Sequence, residues 1–328
     1  MKFRTELAPA SPDWSIGLDD PVVTIGSCFS DTIGNELLSC KFKATVNPFG
    51  TTYHPLSIDR LVQYALSNQF PGDDSYVERA GIFYNYNFHS SFADESLDEL
   101  KSKIHTEIIK VHQALASCRV LMLTYGTAWI FDRVDNGQPV ANCHRLPPGE
   151  FNRRLASVEE IKQSFSKTYA ILQAINPSIR VILTVSPVRH LKDSLPSNSV
   201  SKATLRLACH ELAAVNTSIH YFPAFELLMD DLRDYRFYSD DLIHPSRQAE
   251  AYIWDKFRET YFSPETIDVL SRWDAVRPAM LHRPFHPDSA EHQRFLQQTI
   301  DRLTQLLPVM DVRNEIALLR SQLNHQPA

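Results

Sequence analysis

Chemistry in this chain is most legible where Gly26-Ser-Cys-Phe-Ser30 follows the apolar run Val22, Val23 and Ile25. The run reads as a buried strand that stops at a glycine, followed at once by two nucleophilic side chains, Ser27 and Cys28. Ser30 to Leu38 then reads as a helix, with Ser30 as its cap and Ile33 and Leu37 on one face. A strand, a sharp turn, a nucleophile and a helix N-terminus suit acyl transfer, because unpaired N–H groups there face a developing anion. The base that such a site needs is offered far downstream, in Tyr238-Ser-Asp-Asp-Leu-Ile-His-Pro-Ser246. Asp241 three residues before His244 can hold one imidazole nitrogen and leave the other free to accept a proton. The plainer reading of the same spacing is a surface loop in which Asp241 caps a turn.

The elements that must position these residues alternate. Strands are expected at 22–25, 42–46, 119–125, 180–185 and 219–222, with 129–131 continuing as strand or turn. Helices are expected at 30–38, 56–68, 95–118, 158–175, 202–215 and 246–261, with one or two helical turns at 225–233. Strands separated by long helices imply parallel pairing with right-handed crossovers, and a functional crevice at the strands' carboxyl ends. The segments 26–29, 47–51, 126–129 and 186–190 all follow strands, as that rule requires. Residues 70–93 are aromatic without a clear period and read as a lid, a substrate wall or a packed surface loop. The expected architecture is an α/β/α three-layer sandwich over residues 1–262, with a helical extension at 263–328. In that extension a proline-punctuated linker (278–287) precedes amphipathic helices at 290–307 and 312–323. They are expected to pack on the domain as a hairpin or to form a homo-oligomer contact.

Composition narrows the function classes. The chain has 328 residues, 43% hydrophobic and 22% charged, with a formal net charge of −6, which disfavours nucleic acid and anionic membranes as partners. No apolar run reaches the roughly 18 residues of a membrane span, and the start lacks a secretory segment. Five scattered cysteines without metal-type spacing fit a reduced, cytoplasmic setting. Cys143, His144, His190 and His244 match no zinc template, so neither a metal nor another cofactor is expected.

Gly26-Ser-Cys-Phe-Ser30 resembles the name-giving motif of the GSCFA-domain family, which is similar to the SGNH (GDSL-type) hydrolases. The resemblance covers about residues 1–260. It takes in Asn47-Pro-Phe-Gly-Thr51, Gly126-Thr-Ala-Trp129, Asn142-Cys-His144, Ser186-Pro-Val-Arg-His190, Ser201-Lys202, Asp231 to Tyr238, and Asp241-Leu-Ile-His-Pro-Ser246. It implies a flavodoxin-like sheet and an acyl-ester hydrolase or acyltransferase acting on a small-molecule or carbohydrate ester. Cys28 falls where those hydrolases carry the nucleophilic serine and Ser27 where they carry aspartate, while Asp241 and His244 match the rest of a triad. Gly50 fits the glycine that donates to the oxyanion, alongside the Cys28 N–H. The third block departs, since Ala128 stands where an oxyanion asparagine belongs. Thr127, Asn47 or Asn142 could supply that donor, and Arg189 or His190 could bind an anionic substrate group. If none does, the chain is a catalytically weak binding module that keeps the crevice. A helix N-terminus beside an imidazole is expected to lower the Cys28 thiol pKa.

Overall fold

The computed structural model describes residues 4–280, 282 and 284–323. In chain order, β1 (Val22–Gly26), α1 (Cys28–Ser39), β2 (Ala44–Val46) and α2 (Pro55–Ser67) come first. The hairpin β3 (Tyr76–Arg79) and β4 (Ile82–Asn85) leads to α3 (Leu97–Ser117) and β5 (Val120–Tyr125). Then come β6 (Trp129–Arg133), β7 (Pro139–Val140), β8 (Phe151–Leu155), α4 (Val158–Ile175), β9 (Arg180–Val185), α5 (Leu195–Ala214) and β10 (Ile219–Phe222). A single turn, α6 (Ala224–Glu226), widens into a π-type turn over Leu227–Leu232, and α7 (Arg247–Tyr261) follows. The chain continues as α8 (Pro264–Met280), α9 (Ala290–Thr304) and α10 (Arg313–Leu323).

The central sheet has the order β10-β9-β5-β1-β2, with every pair parallel. β1 and β5 are buried at every residue, as strands covered on both faces must be. One face carries α2 to α5. The stripe Leu100, Ile104, Ile108, Val111 and Leu115 of α3 packs there with Ile58, Leu61, Ile161, Phe165, Leu205 and Leu212. The other face carries Phe29, Ile33 and Leu37 of α1 and Ile253, Trp254 and Phe257 of α7. Trp273, Leu296, Ile300 and Ile316 of α8 to α10 belong to the same cluster. This is the three-layer α/β fold expected from the alternation. The C-terminal helices are tied to α1 and the residues after it: Trp273 Nε1 donates to the Ser39 carbonyl at 3.0 Å, and Lys41 pairs with Glu315.

Several expected boundaries move. α1 starts at Cys28 rather than Ser30, because the Ser27 side chain is the cap; Ser30 is buried, and its hydroxyl donates to Thr124 Oγ1 at 2.8 Å. α5 starts at Leu195, before the expected Lys202, with Ser194 capping it and Pro196 in its first turn. Residues 76–85 form a hairpin, and β7-β6-β8 make a separate antiparallel sheet of which only the start of β6 was foreseen. α8 adds a helix ahead of the expected pair and continues through Pro278.

Candidate active site

The turn after β1 is fixed by backbone chemistry. Gly26 has φ +144°, and a Cβ there would lie 2.2 Å from the Thr124 carbonyl oxygen, so only glycine passes this close to β5. Ser27 N–H donates to that oxygen at 3.0 Å. The Asn47 side chain braces the turn: its Oδ1 accepts from Gly26 N–H at 2.8 Å and its amide lies 3.5 Å from the Ser27 carbonyl. With the turn held, Ser27 is 1% exposed and its hydroxyl accepts from Phe29 N–H at 3.4 Å, whereas Cys28 is half-buried.

His244 is positioned by a closed loop. Tyr238 and Pro245 form an antiparallel bridge, Ser239 N–H donates to the His244 carbonyl at 2.8 Å, and Leu242 takes φ +57°. Asp241 both closes a turn and contacts the imidazole. Its Oδ1 accepts from the N–H groups of Ile243 and His244 (2.9 and 3.0 Å), an Asx turn, while its Oδ2 accepts from His244 Nδ1 at 2.7 Å. The His244 backbone N–H, its imidazole and the Ile243 N–H together pull the Asp241 carboxyl down to about 2. Ser246 then caps α7.

Cys28 and His244 line one cavity of about 300 Å³, walled by Phe29, Val188 and Pro245 and edged by Thr32, Arg247 and Glu250. Thr32 donates to Glu250 Oε1 at 3.1 Å, and burial raises the Glu250 carboxyl pKa. Contrary to the expectation of a lowered thiol, the Cys28 pKa is raised. Burial is the main cause and the Asp31 carboxylate adds to it, together outweighing the helix N–H groups and Lys202.

The remaining candidates are placed elsewhere or already bonded. Gly50 gives its N–H to the Asn47 carbonyl at 2.8 Å within a tight turn at φ +73°, so its reading as an oxyanion donor gives way to a turn role. Thr127 Oγ1 is shared between Ser201 Oγ at 3.1 Å and Trp129 N–H at 3.1 Å. Asn142 bonds Ser90 and the His144 N–H, beside the β3–β4 hairpin rather than in the cavity. Arg189 lies over the rings of Tyr238 and Tyr235, 4.3 and 5.3 Å from their centroids, and its N–H donates to the Ile243 carbonyl. It braces the Asp241–His244 loop and does not line the cavity. His190 packs edge-on against Tyr53; its buried Nε2 makes no hydrogen bond of ordinary geometry among the described residues, although the Gly126 backbone lies near enough to the ring to raise its pKa somewhat. Burial and Lys202 push its pKa down to about 4.

Ala128 is fully buried. Its N–H donates to Ser201 Oγ at 2.7 Å, and its carbonyl accepts from His54 Nε2 and Ala156 N–H. Ala128 thus sits in the core rather than facing the crevice. Among the described residues no three His, Cys, Asp or Glu side chains are placed to hold a metal ion, and no helix is long and apolar enough to cross a membrane. Sequence reasoning passed over Thr32, Arg247 and Glu250, whose only signal is position next to the two motifs, and named the Ser186–His190 block without singling out Val188. Removing the cap with Ser27→Ala is expected to lower stability by about 1 kcal/mol, as urea unfolding would show.

The GSCFA family model matches residues 21–257, and the model for the C-terminal domain of GSCFA domain proteins matches residues 273–325. The chain belongs to the GSCFA family. No curated protein sequence matches it. Solved structures similar to it include a carbohydrate esterase family 3 protein from Talaromyces cellulolyticus (TM-score 0.35, 9% identity, 77% of this chain and 98% of that one). A family 3 carbohydrate esterase from Clostridium thermocellum has TM-score 0.31 and 12% identity over 78% and 98%. A carbohydrate esterase family 2 enzyme with a carbohydrate-binding domain, from Corynascus thermopiles (Myceliophthora fergusii), has TM-score 0.36 and 13% identity over 78% and 67%. At these TM-scores the matches carry no functional argument.

Proposed function

We propose that the protein is an acyl-ester hydrolase or acyltransferase in which Cys28 attacks, His244 moves the proton and Asp241 orients His244. The observation that carries this reading is the shared cavity: a half-buried thiol at a helix N-terminus faces the same space as an imidazole held by a carboxylate. Ser27, the other candidate nucleophile, has its hydroxyl buried as a helix cap.

In this mechanism Cys28 Sγ bonds to the ester carbonyl carbon as its proton passes to His244 Nε2. The displaced electron pair settles on the carbonyl oxygen, near the Cys28 N–H, which has no carbonyl four residues earlier to bond within the helix. Collapse expels the alkoxide, which takes the proton from His244 and leaves a thioester on Cys28. Water or an acceptor hydroxyl then repeats the sequence and frees the thiol. Because the thiol pKa is raised, attack depends on His244 as base rather than on a standing thiolate. The cavity's size and its Phe29, Val188 and Pro245 walls suit a short acyl group on a small-molecule or carbohydrate ester.

Incubation with p-nitrophenyl acetate followed by peptide mass spectrometry tests this. One acetyl group is expected on the Cys28 peptide, released by neutral hydroxylamine as a thioester is. An acetyl group on Ser27, or none on either residue while turnover continues, would overturn the assignment. A crevice with neither label nor turnover is the binding module instead.

A further inference from the structure

Lys202 is 1% exposed. Its Nζ donates to the Gly126 carbonyl at 2.8 Å and to the Ser186 carbonyl at 2.7 Å, the residues just past the ends of β5 and β9. No carboxylate among the described residues pairs with it. An ammonium has three protons to donate, and burying one without a counter-charge is costly enough to require a reason. Its neighbour Ser201 bonds Ala128 N–H and Thr127 Oγ1. α5 thus clamps the whole Gly126–Ala128 block, the one that lacks the expected asparagine.

The charge lies near the nucleophile. β1 ends where Gly26 pairs with Thr124, so the turn that carries Cys28 and the Gly126 carbonyl that holds Lys202 leave neighbouring strands at the same edge of the sheet, near enough for the two charges to act on each other. The groups around Lys202 are Cys28 on α1, His190 after β9, and the Phe225 ring 5.8 Å away beyond β10. His244 acts on His190 from the α7 side, and Asp31 acts on Cys28.

We propose that Lys202 is a positioning residue of this site: when protonated, its ammonium, held under the crevice by Gly126 and Ser186, is the positive charge toward which negative charge develops on Cys28. Its purpose rests on the acyl-transfer reading; its test does not. Burial brings Lys202 down to about 7 while Cys28 draws it back up, so each group favours the other's ionised form. Holding two strand ends apart needs no charge, and a purely structural lysine would leave the thiol's titration unmoved.

Two measurements decide. In a Cys143→Ser background with ¹³C-labelled lysine, NMR is expected to show one lysine titrating near neutrality. After alkylation of Cys28, its midpoint should be higher by roughly half a pH unit or more with iodoacetate, which leaves a carboxylate, than with iodoacetamide, which leaves a neutral amide. In Lys202→Met, the pH midpoint of Cys28 alkylation should rise by a similar amount with cooperative unfolding retained. Should that variant not fold, the NMR comparison on the lysine-containing protein stands alone. Equal midpoints for the two adducts, or no lysine titrating below about pH 9, would overturn the proposal. If the adducts differ but p-nitrophenyl acetate leaves no acetyl group on Cys28, the Lys202–Cys28 coupling stands and the acyl-transfer reading falls.

Discussion

Replacing His244 with alanine is expected to lower kcat/KM toward a short-chain ester by about 10³-fold, the usual range for loss of a general base. The effect should be large because the Cys28 thiol, raised by burial and Asp31, has little thiolate of its own to fall back on. Asp241→Asn should cost as much or more, up to about 10⁴-fold: an amide oxygen can keep the loop bonds to the Ile243 and His244 N–H groups, which turns the NH2 toward His244 Nδ1 and favours the tautomer that cannot accept a proton at Nε2. The Asp241 carboxyl sits at about 2, so it stays ionised through the working range and adds no acid limb of its own. Steady-state rates from pH 5 to 9, with far-UV CD as the check on folding, would decide. If both variants stay within about threefold of the parent, the Asp–His pair is only a loop device.

The second large effect lies away from the crevice. Asp59 of α2 is fully buried, and neither carboxyl oxygen makes a hydrogen bond of ordinary geometry, although Ser164 is near enough to lower it somewhat. Burial pushes its pKa from 3.8 to about 7. A carboxyl raised on folding binds its proton more tightly in the native state, so the unfolded chain loses it first as pH rises. The stability this contributes is fully present below about pH 4, is lost between pH 4 and 7, and stays lost above. The difference of about three pH units corresponds to roughly 4 kcal/mol. Asp59→Asn cannot ionise, so its stability relative to the parent should climb across that window by a few kcal/mol and level off above pH 7. Urea unfolding at pH 5, 6, 7 and 8 measures it, and the slope is the test because a buried amide adds a constant cost of its own. A flat difference would mean that water or a shift of Tyr125, whose hydroxyl is also buried without a partner among the described residues, already relieves the charge.

The alternation of apolar strands and long amphipathic stretches was enough to read the layers and the parallel sheet. It failed where local chemistry overrode periodicity. Ser27 and Ser30 are equally good caps on paper, and the glycine turn against Thr124 decides between them. β8, with Asn152, Arg153 and Arg154 in its middle, has no apolar alternation to betray a strand. The Asp241–His244 pair was visible because both residues lie in one short segment. The fate of Gly50 and Ala128 was not, because it depends on Asn47, Ser201 and His54, partners set by the tertiary fold. Lys202 stood inside a recognised motif, but a buried cation cannot be told from a surface lysine until its carbonyl partners are known.

The Asp241–His244 unit has a consequence for assembly order. Its hydrogen bonds span three residues, so closing that loop takes little chain entropy, and the carboxylate–imidazole geometry can form early and survive damage elsewhere. Bringing Cys28 to the same cavity spans more than 200 residues and requires the sheet from β2 to β10 to be in register. The thiol's approach to the imidazole is therefore a late event, so Cys28 reactivity should serve as a gauge of complete folding, silent in any partly formed state that already carries a well-oriented His244.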